Sequence, residues 1–206
     1  ADRDELEHRL VRRGARRPGQ LGDQGPRAGV RVGRDAEPIA DALARFETEI
    51  AAAAPQHIIL DMRSNHGGDL NTARDFMQRL PDMVPGRIFV FTDEGTFSPA
   101  ISSIGYLKQA GGERVTMVGA PVGDRLNFFA EGGLVRLPHS QAFLLQATER
   151  HDYATGCQGY EDCHGPVVRN PIAVESLAPD IEAPWTMEAY RAGRDPATDA
   201  VAAALR

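Results

Sequence analysis

From residue 35 onward the apolar positions switch between helical and strand-like spacing. Ile39, Leu43, Phe46 and Ile50 recur at the interval of one helix face. Asp35 can cap that helix, Pro38 fits an early turn, and Pro55 ends it. His57-Ile58-Ile59-Leu60 is a short apolar run suited to a buried strand. Leu70, Ala73, Phe76, Met77 and Leu80 mark a second amphipathic helix, which Pro81 and Pro85 should break. Arg87 to Phe91 reads as a strand. Ile101, Ile104, Tyr106 and Leu107 read as a third helix ended by Gly111-Gly112, and Val115 to Val118 as a further strand. Strand, turn, helix, repeated, predicts an α/β fold with a parallel sheet and crossover helices. Shorter segments, LNFFA, LVRLP and AFLLQ, look like strands or hairpins, and Asp195 to Arg206 reads as a closing helix opened by Pro196.

Before residue 35 no sustained period exists. RRGARRPGQLGDQGPRAGVRVGR is rich in Arg and Gly, so residues 1–34 are expected to form an irregular or disordered arm and residues 35–206 the core. No apolar run approaches the roughly 20 residues of a membrane span. The net charge of −6 argues against nucleic acid as the main partner, because phosphate binding needs a basic surface. Basic residues are almost all Arg, with Lys108 the only lysine, which reflects genomic base composition and not chemistry. Cys157 and Cys163 stand in CQGYEDC, where five intervening residues can close a small disulfide loop. Such a bridge would suit a periplasmic or secreted protein. The rivals are two free thiols, or a metal site completed by His164, His151 or Asp162, weakened by the lack of a second cysteine pair. No metal and no cofactor is expected in the chemistry.

Two turns stand where apolar strands end and helices begin, the place where sites collect in α/β sheets. The first is Asp61-Met62-Arg63-Ser64-Asn65-His66-Gly67-Gly68. Paired glycines permit a sharp turn with uncovered backbone N–H groups, which is what an oxyanion hole requires. Equally, it is a tight turn held by an Asp61–Arg63 pair. The second is Gly95-Thr96-Phe97-Ser98-Pro99-Ala100. Ser98 can be a nucleophile on a rigid corner, or simply the N-cap of a helix whose first residue is Pro99.

Four segments, in order, resemble the tail-specific, or carboxy-terminal-processing, serine peptidases. IILDMRSNHGG is similar to that family's strand and Asp-Leu-Arg-x-Asn-x-Gly-Gly turn, and FTDEGTFSPA to the strand and turn that carry the nucleophile. RVTMVGAPVGDR resembles the Val-Gly-Glu-x-Thr-x-Gly-Lys segment, and SLAPDIEAPWTMEAYRAGRDPATDAV the closing Pro-Asp…Gly-x-Asp pattern. The resemblance covers residues 39–206. It implies a crotonase-like α/β core, a polypeptide substrate, Ser98 as nucleophile, and Gly67 or Gly68 as oxyanion donor.

The chain departs from the pattern at three points. Arg125 stands where the family often has its lysine base. A guanidinium stays protonated, so Arg125 cannot take the proton of Ser98, although it can bind a carboxylate bidentately or pair with Asp124. Pro99 lacks the N–H that commonly follows the nucleophile, so the hole needs another donor, Asn65 or Asn127. Nothing before residue 35 resembles the family's PDZ-type domain or its upstream catalytic histidine. A substitute base is then required. His66, beside the glycines, is the first candidate, ahead of His139 and His151. Asp61, Asp69 and Glu131 are unranked third members. An inactive relative that binds a peptide or an apolar ligand through Phe97, Phe128 and Phe129 is the alternative. A third reading, chemistry on an acyl thioester, lacks a basic cluster for a nucleotide phosphate. The sequence gives no oligomeric state.

Overall fold

A computed structural model describes residues 37–206. The Arg/Gly-rich arm and the expected cap Asp35 lie outside the described residues. Helix α1 (Ile39–Ala53) closes with Ala54 in the left-handed region, φ 43°, whose N–H donates to the Ile50 carbonyl, and Pro55 prevents continuation. Strand β1 (Ile58–Asp61) follows. Helix α2 (Arg74–Met83) begins later than the apolar spacing suggested, and it runs through Pro81 instead of breaking there. The reason is position. Pro81 lies in the last turn, where its ring packs beside Gly111, and Arg114 donates to the carbonyls of Pro81 and Val84 at 2.9 Å each. Those bonds satisfy carbonyls at the helix end that have no partner within the helix.

Strand β2 (Ile88–Thr92) is buried throughout. Helix α3 (Pro99–Gly111) is buried continuously from Ala100 to Leu107. One 3₁₀ turn (Gly112–Arg114) leads into β3 (Val115–Gly119). With β8 (Ile181–Glu182) these strands form one parallel sheet in the order β1-β2-β3-β8. Alternation along β2 splits the core. Ile88 and Val90 join Met117, Leu80, Ile101 and Ile104 on the face covered by α2 and α3. Phe89 and Phe91 join Val118, Ala197 and Val201 on the face covered by the last helix, α6 (Pro196–Ala204). Two-sided cover is why β2 reads as an unbroken apolar run.

Beyond the sheet, β4 (Asn127–Ala130) pairs antiparallel with β7 (Glu149–Asp152). The segments LVRLP and AFLLQ supply β5 (Gly133–Arg136) and β6 (Phe143–Gln146), a hairpin whose eight strand residues are all exposed. Two short helices, α4 (Gly165–Arg169) and α5 (Met187–Arg191), complete the order. Cys157 and Cys163 are joined in a disulfide, so neither is a free thiol or a metal ligand. Among the described residues no helix is long and apolar enough to cross a membrane.

Candidate active site

The two strand-end turns meet. Asp93, directly after β2, accepts from the Ser64 N–H at 2.8 Å and from the Gly95 N–H at 3.0 Å. The Thr96 hydroxyl donates to the Met62 carbonyl at 3.0 Å and accepts from the Asp93 N–H at 3.1 Å. The Phe97 N–H donates to the Asn65 carbonyl at 3.0 Å. These bonds zip residues 62–65 to residues 93–97. Gly67 completes the contact: a Cβ there would lie 2.5 Å from Pro99 Cδ and 2.9 Å from the Phe97 carbonyl oxygen. Only a residue without a side chain allows that approach, and its φ of 88° also favours glycine. The third loop joins through Gly123, whose N–H donates to the Thr96 carbonyl at 2.9 Å.

The first turn is braced from below. Arg63 forms a fork to Asp61, with Nε to Oδ1 at 2.9 Å and Nη2 to Oδ2 at 2.6 Å. The same guanidinium reaches Asp195 at 3.2 and 3.0 Å, and Asp195 in turn caps α6 through the Ala197 N–H at 3.0 Å. Burial opposes the charge on Arg63, but the hydrogen bonds to Asp61 and then Asp195 raise its pKa above the ordinary value. Asp61 is therefore spent on the turn and is not free to orient a histidine. Asp69 likewise serves its own loop, accepting from the Asn71 N–H at 2.8 Å.

Ser98 occupies the N-cap position of α3 with φ 56° and ψ −132°, and its side chain makes no capping hydrogen bond. The capping explanation for this serine therefore fails. A non-glycine residue at such angles stores roughly 1–3 kcal/mol of strain. Strained strand-to-helix corners are a recurrent way of presenting a nucleophilic hydroxyl. Ser102 and Ser103, one turn on, are not rivals in this conformation: both hydroxyls donate to the Pro99 carbonyl, at 3.0 and 2.7 Å.

A solved protein from Bacteroides fragilis assigned to the S41 proteases is similar in fold, with a TM-score of 0.50 and 12% identity, over 86% of this chain and 52% of its own. What the two share is the fold. A photosystem II D1 C-terminal processing protease is similar at a TM-score of 0.42 and 17% identity, over 69% of this chain and 38% of its own. A lipoprotein from Streptococcus agalactiae is similar at 0.40 and 14%, over 81% and 61%. The chain thus spans less than two thirds of each of these proteins. No family model matches the chain, and no curated protein matches it in sequence.

The remaining candidate residues divide. The Gly67 N–H donates to Asn65 Oδ1 at 3.0 Å, so it is engaged within its own turn. Gly68 makes no hydrogen bond among the described residues, and the place where its Cβ would be is open. Asn127 Oδ1 accepts from Arg150 Nη1 at 3.0 Å. Arg125 pairs with Asp124 only through its backbone N–H, at 2.7 Å. Its side chain lines a cleft of about 230 Å³ with Val122, Leu126, Glu175 and Leu177. Among the described residues, no histidine, lysine or carboxylate is hydrogen-bonded to the Ser98 hydroxyl. His66 is exposed on the glycine turn. His139 is exposed in the β5–β6 connection. His151 is buried in β7, stacked 5.0 Å from Phe128, which in turn lies 6.2 Å from Phe97. Burial, and then neighbouring His164, lower the pKa of His151 against the opposing pull of Glu131.

Asp93 and Thr96 escaped the sequence reading, although they join the corners. Their signal was present in TDEGT: an Asp two residues before a Gly commonly accepts from the backbone of its own turn.

Proposed function

We propose that this chain carries the core of a serine peptidase of the tail-specific type, crotonase-like in fold, acting on polypeptides. One observation carries the reading: Ser98 is held in a strained corner, without a capping bond, between Phe97 and Pro99, both of which abut Gly67 of the glycine turn. Ser98 Oγ attacks the substrate carbonyl carbon. The Gly68 N–H receives the oxyanion, and Gly67 joins it when Asn65 turns away. His66 takes the hydroxyl proton and returns it to the departing amine; water then hydrolyses the acyl-enzyme. Arg125, its guanidinium unpaired among the described residues, recognises a carboxylate at the substrate C-terminus. The disulfide supports a compartment outside the reducing cytosol. The test is hydrolysis of a mixed peptide library by the parent, Ser98→Ala and His66→Gln proteins. Turnover in Ser98→Ala equal to the parent's would discard the reading. Full turnover in His66→Gln with none in Ser98→Ala would remove only the base.

A binding-only relative is the second reading. Pro99 offers no N–H, the Gly67 N–H is engaged by Asn65, and among the described residues no base bonds the Ser98 hydroxyl. Losing one oxyanion donor alone costs about 2.7–4 kcal/mol of transition-state stabilisation. Saturable peptide binding followed by Trp185 fluorescence, with no product after prolonged incubation, selects this reading.

A further inference from the structure

Beside the β4–β7 pair, three side chains with ligating atoms converge. Glu131 directly follows β4, His151 lies in β7, and His164 is the N-cap residue of α4, next to Cys163. Each offers one ligand atom, and the three atoms lie within 4.8 Å of one another. His151 is only 4% exposed, and its buried Nε2 has no hydrogen-bond partner among the described residues. That nitrogen stands 3.4 Å from Glu131 Oε1. The other nitrogen of each ring is tied. His151 Nδ1 lies 3.0 Å from the Tyr153 hydroxyl, and His164 Nδ1 lies 2.6 Å from Glu149 Oε2. Imidazoles that ligate metals nearly always give their second N–H to such a partner, which leaves Nε2 with a lone pair to donate.

We propose that Glu131, His151 and His164 form a binding site for a zinc-class divalent ion, held by the Glu131 carboxylate and the Nε2 atoms of both histidines. Two imidazoles with one carboxylate suit that class; magnesium and calcium prefer oxygen ligands throughout. Zinc bonds of about 2.0–2.1 Å at tetrahedral angles put neighbouring ligand atoms about 3.3–3.4 Å apart. The His151–Glu131 separation of 3.4 Å already meets that requirement. The His151 and His164 rings stack at 4.9 Å with 18° between their planes, so one must tilt to share an ion. His164 is the ring with room, being partly exposed at a helix cap, whereas His151 is clamped against Phe128. A fourth position then opens toward solvent on the Glu131 side, the exposed member of the three.

The disulfide loop determines whether His164 is in reach. The backbone of Cys163 pairs with that of Arg150 in an isolated parallel β-bridge, and the His164 N–H donates to the Arg150 carbonyl at 2.9 Å. An ion at this site would therefore join the turn after β4, strand β7 and the disulfide loop. The proposal does not depend on the peptidase reading, although His151 reaches the Ser98 turn through Phe128 and Phe97.

The experiment is calorimetric titration of zinc into the oxidised, chelator-stripped full chain, repeated with cobalt to read coordination geometry by visible absorption. The parent, His164→Gln, Glu131→Gln and, as a control, His139→Gln proteins are compared. One zinc per chain is expected. Each ligand substitution should weaken binding at least about tenfold, the lower bound seen when even an outer-shell partner is lost. Both ligand substitutions lie on partly exposed side chains, so the fold should persist, and His139→Gln should bind as the parent does. Cobalt should give the intense visible bands of a four-coordinate ion, lost in His164→Gln. Absence of zinc binding to the parent, undiminished binding in either ligand variant, or an equal loss in the His139 control would overturn the proposal.

Discussion

Replacing Gly67 with alanine would drive a methyl group into the joint between the two corners. The added Cβ would stand 2.5 Å from Pro99 Cδ, 2.7 Å from the Pro99 nitrogen and 2.9 Å from the Phe97 oxygen. None of these atoms ends a flexible side chain, so backbone must move. Overpacking of this kind costs roughly 1–3 kcal/mol. The φ of 88° adds about 1–2 kcal/mol for any residue with a Cβ. Together the loss should reach about 2–5 kcal/mol, a large part of the 5–15 kcal/mol typical of a domain. Gly68 is the internal control. Its φ of 154° is also unfavourable to a side chain, but nothing lies within 4 Å of where a Cβ would sit. Gly68→Ala should therefore pay the conformational part alone. Urea unfolding of the parent and both variants, with slopes compared as well as midpoints, gives the difference. If Gly67→Ala and Gly68→Ala lose equal stability, the corners do not touch and the site has no geometric basis.

Further predictions concern the same framework. Ser98→Gly should be more stable than Ser98→Ala by about 1 kcal/mol, because only glycine relieves the positive φ; urea midpoints decide it, and reversed order refutes the strain. Arg63→Met strands the Asp61 and Asp195 carboxylates and should cost about 2–4 kcal/mol; a loss below 0.5 kcal/mol would mean the fork is ornamental. Reducing the disulfide, whose partners are 6 positions apart, should cost about 2.4 kcal/mol by loop entropy, read as a shift in urea midpoint with reductant; no shift would show the bridge constrains nothing.

The sheet was legible because its strands are buried on both faces and its helices carry one apolar side. Phe89 and Phe91 face one layer and Ile88 and Val90 the other, so β2 announced itself as a run with no polar break. Pro81 misled because proline's cost depends on its place in a helix and on what satisfies the freed carbonyls; Arg114, 33 positions away, does so here. Strand β7 was missed because ERHD is charged, and its buried half, His151 and Asp152, is polar. Ser98 was visible as a corner residue, yet its role as cap or exposed hydroxyl turns on a backbone angle that no residue name encodes. The joining of the corners by Asp93 and Thr96 is a long-range event, spanning 29 positions from Ser64 to Asp93. His151 and His164 became neighbours only through the disulfide loop and the β4–β7 register.

The central claim is that Ser98 is a reactive hydroxyl, and covalent capture addresses it with the fewest assumptions. The parent protein should be incubated with a fluorophosphonate, weighed intact, and digested to locate the adduct. One adduct per chain on Ser98, absent in Ser98→Ala and present in Ser102→Ala, is the predicted result. An unmodified parent after prolonged exposure, or an adduct on any other residue, would contradict the account.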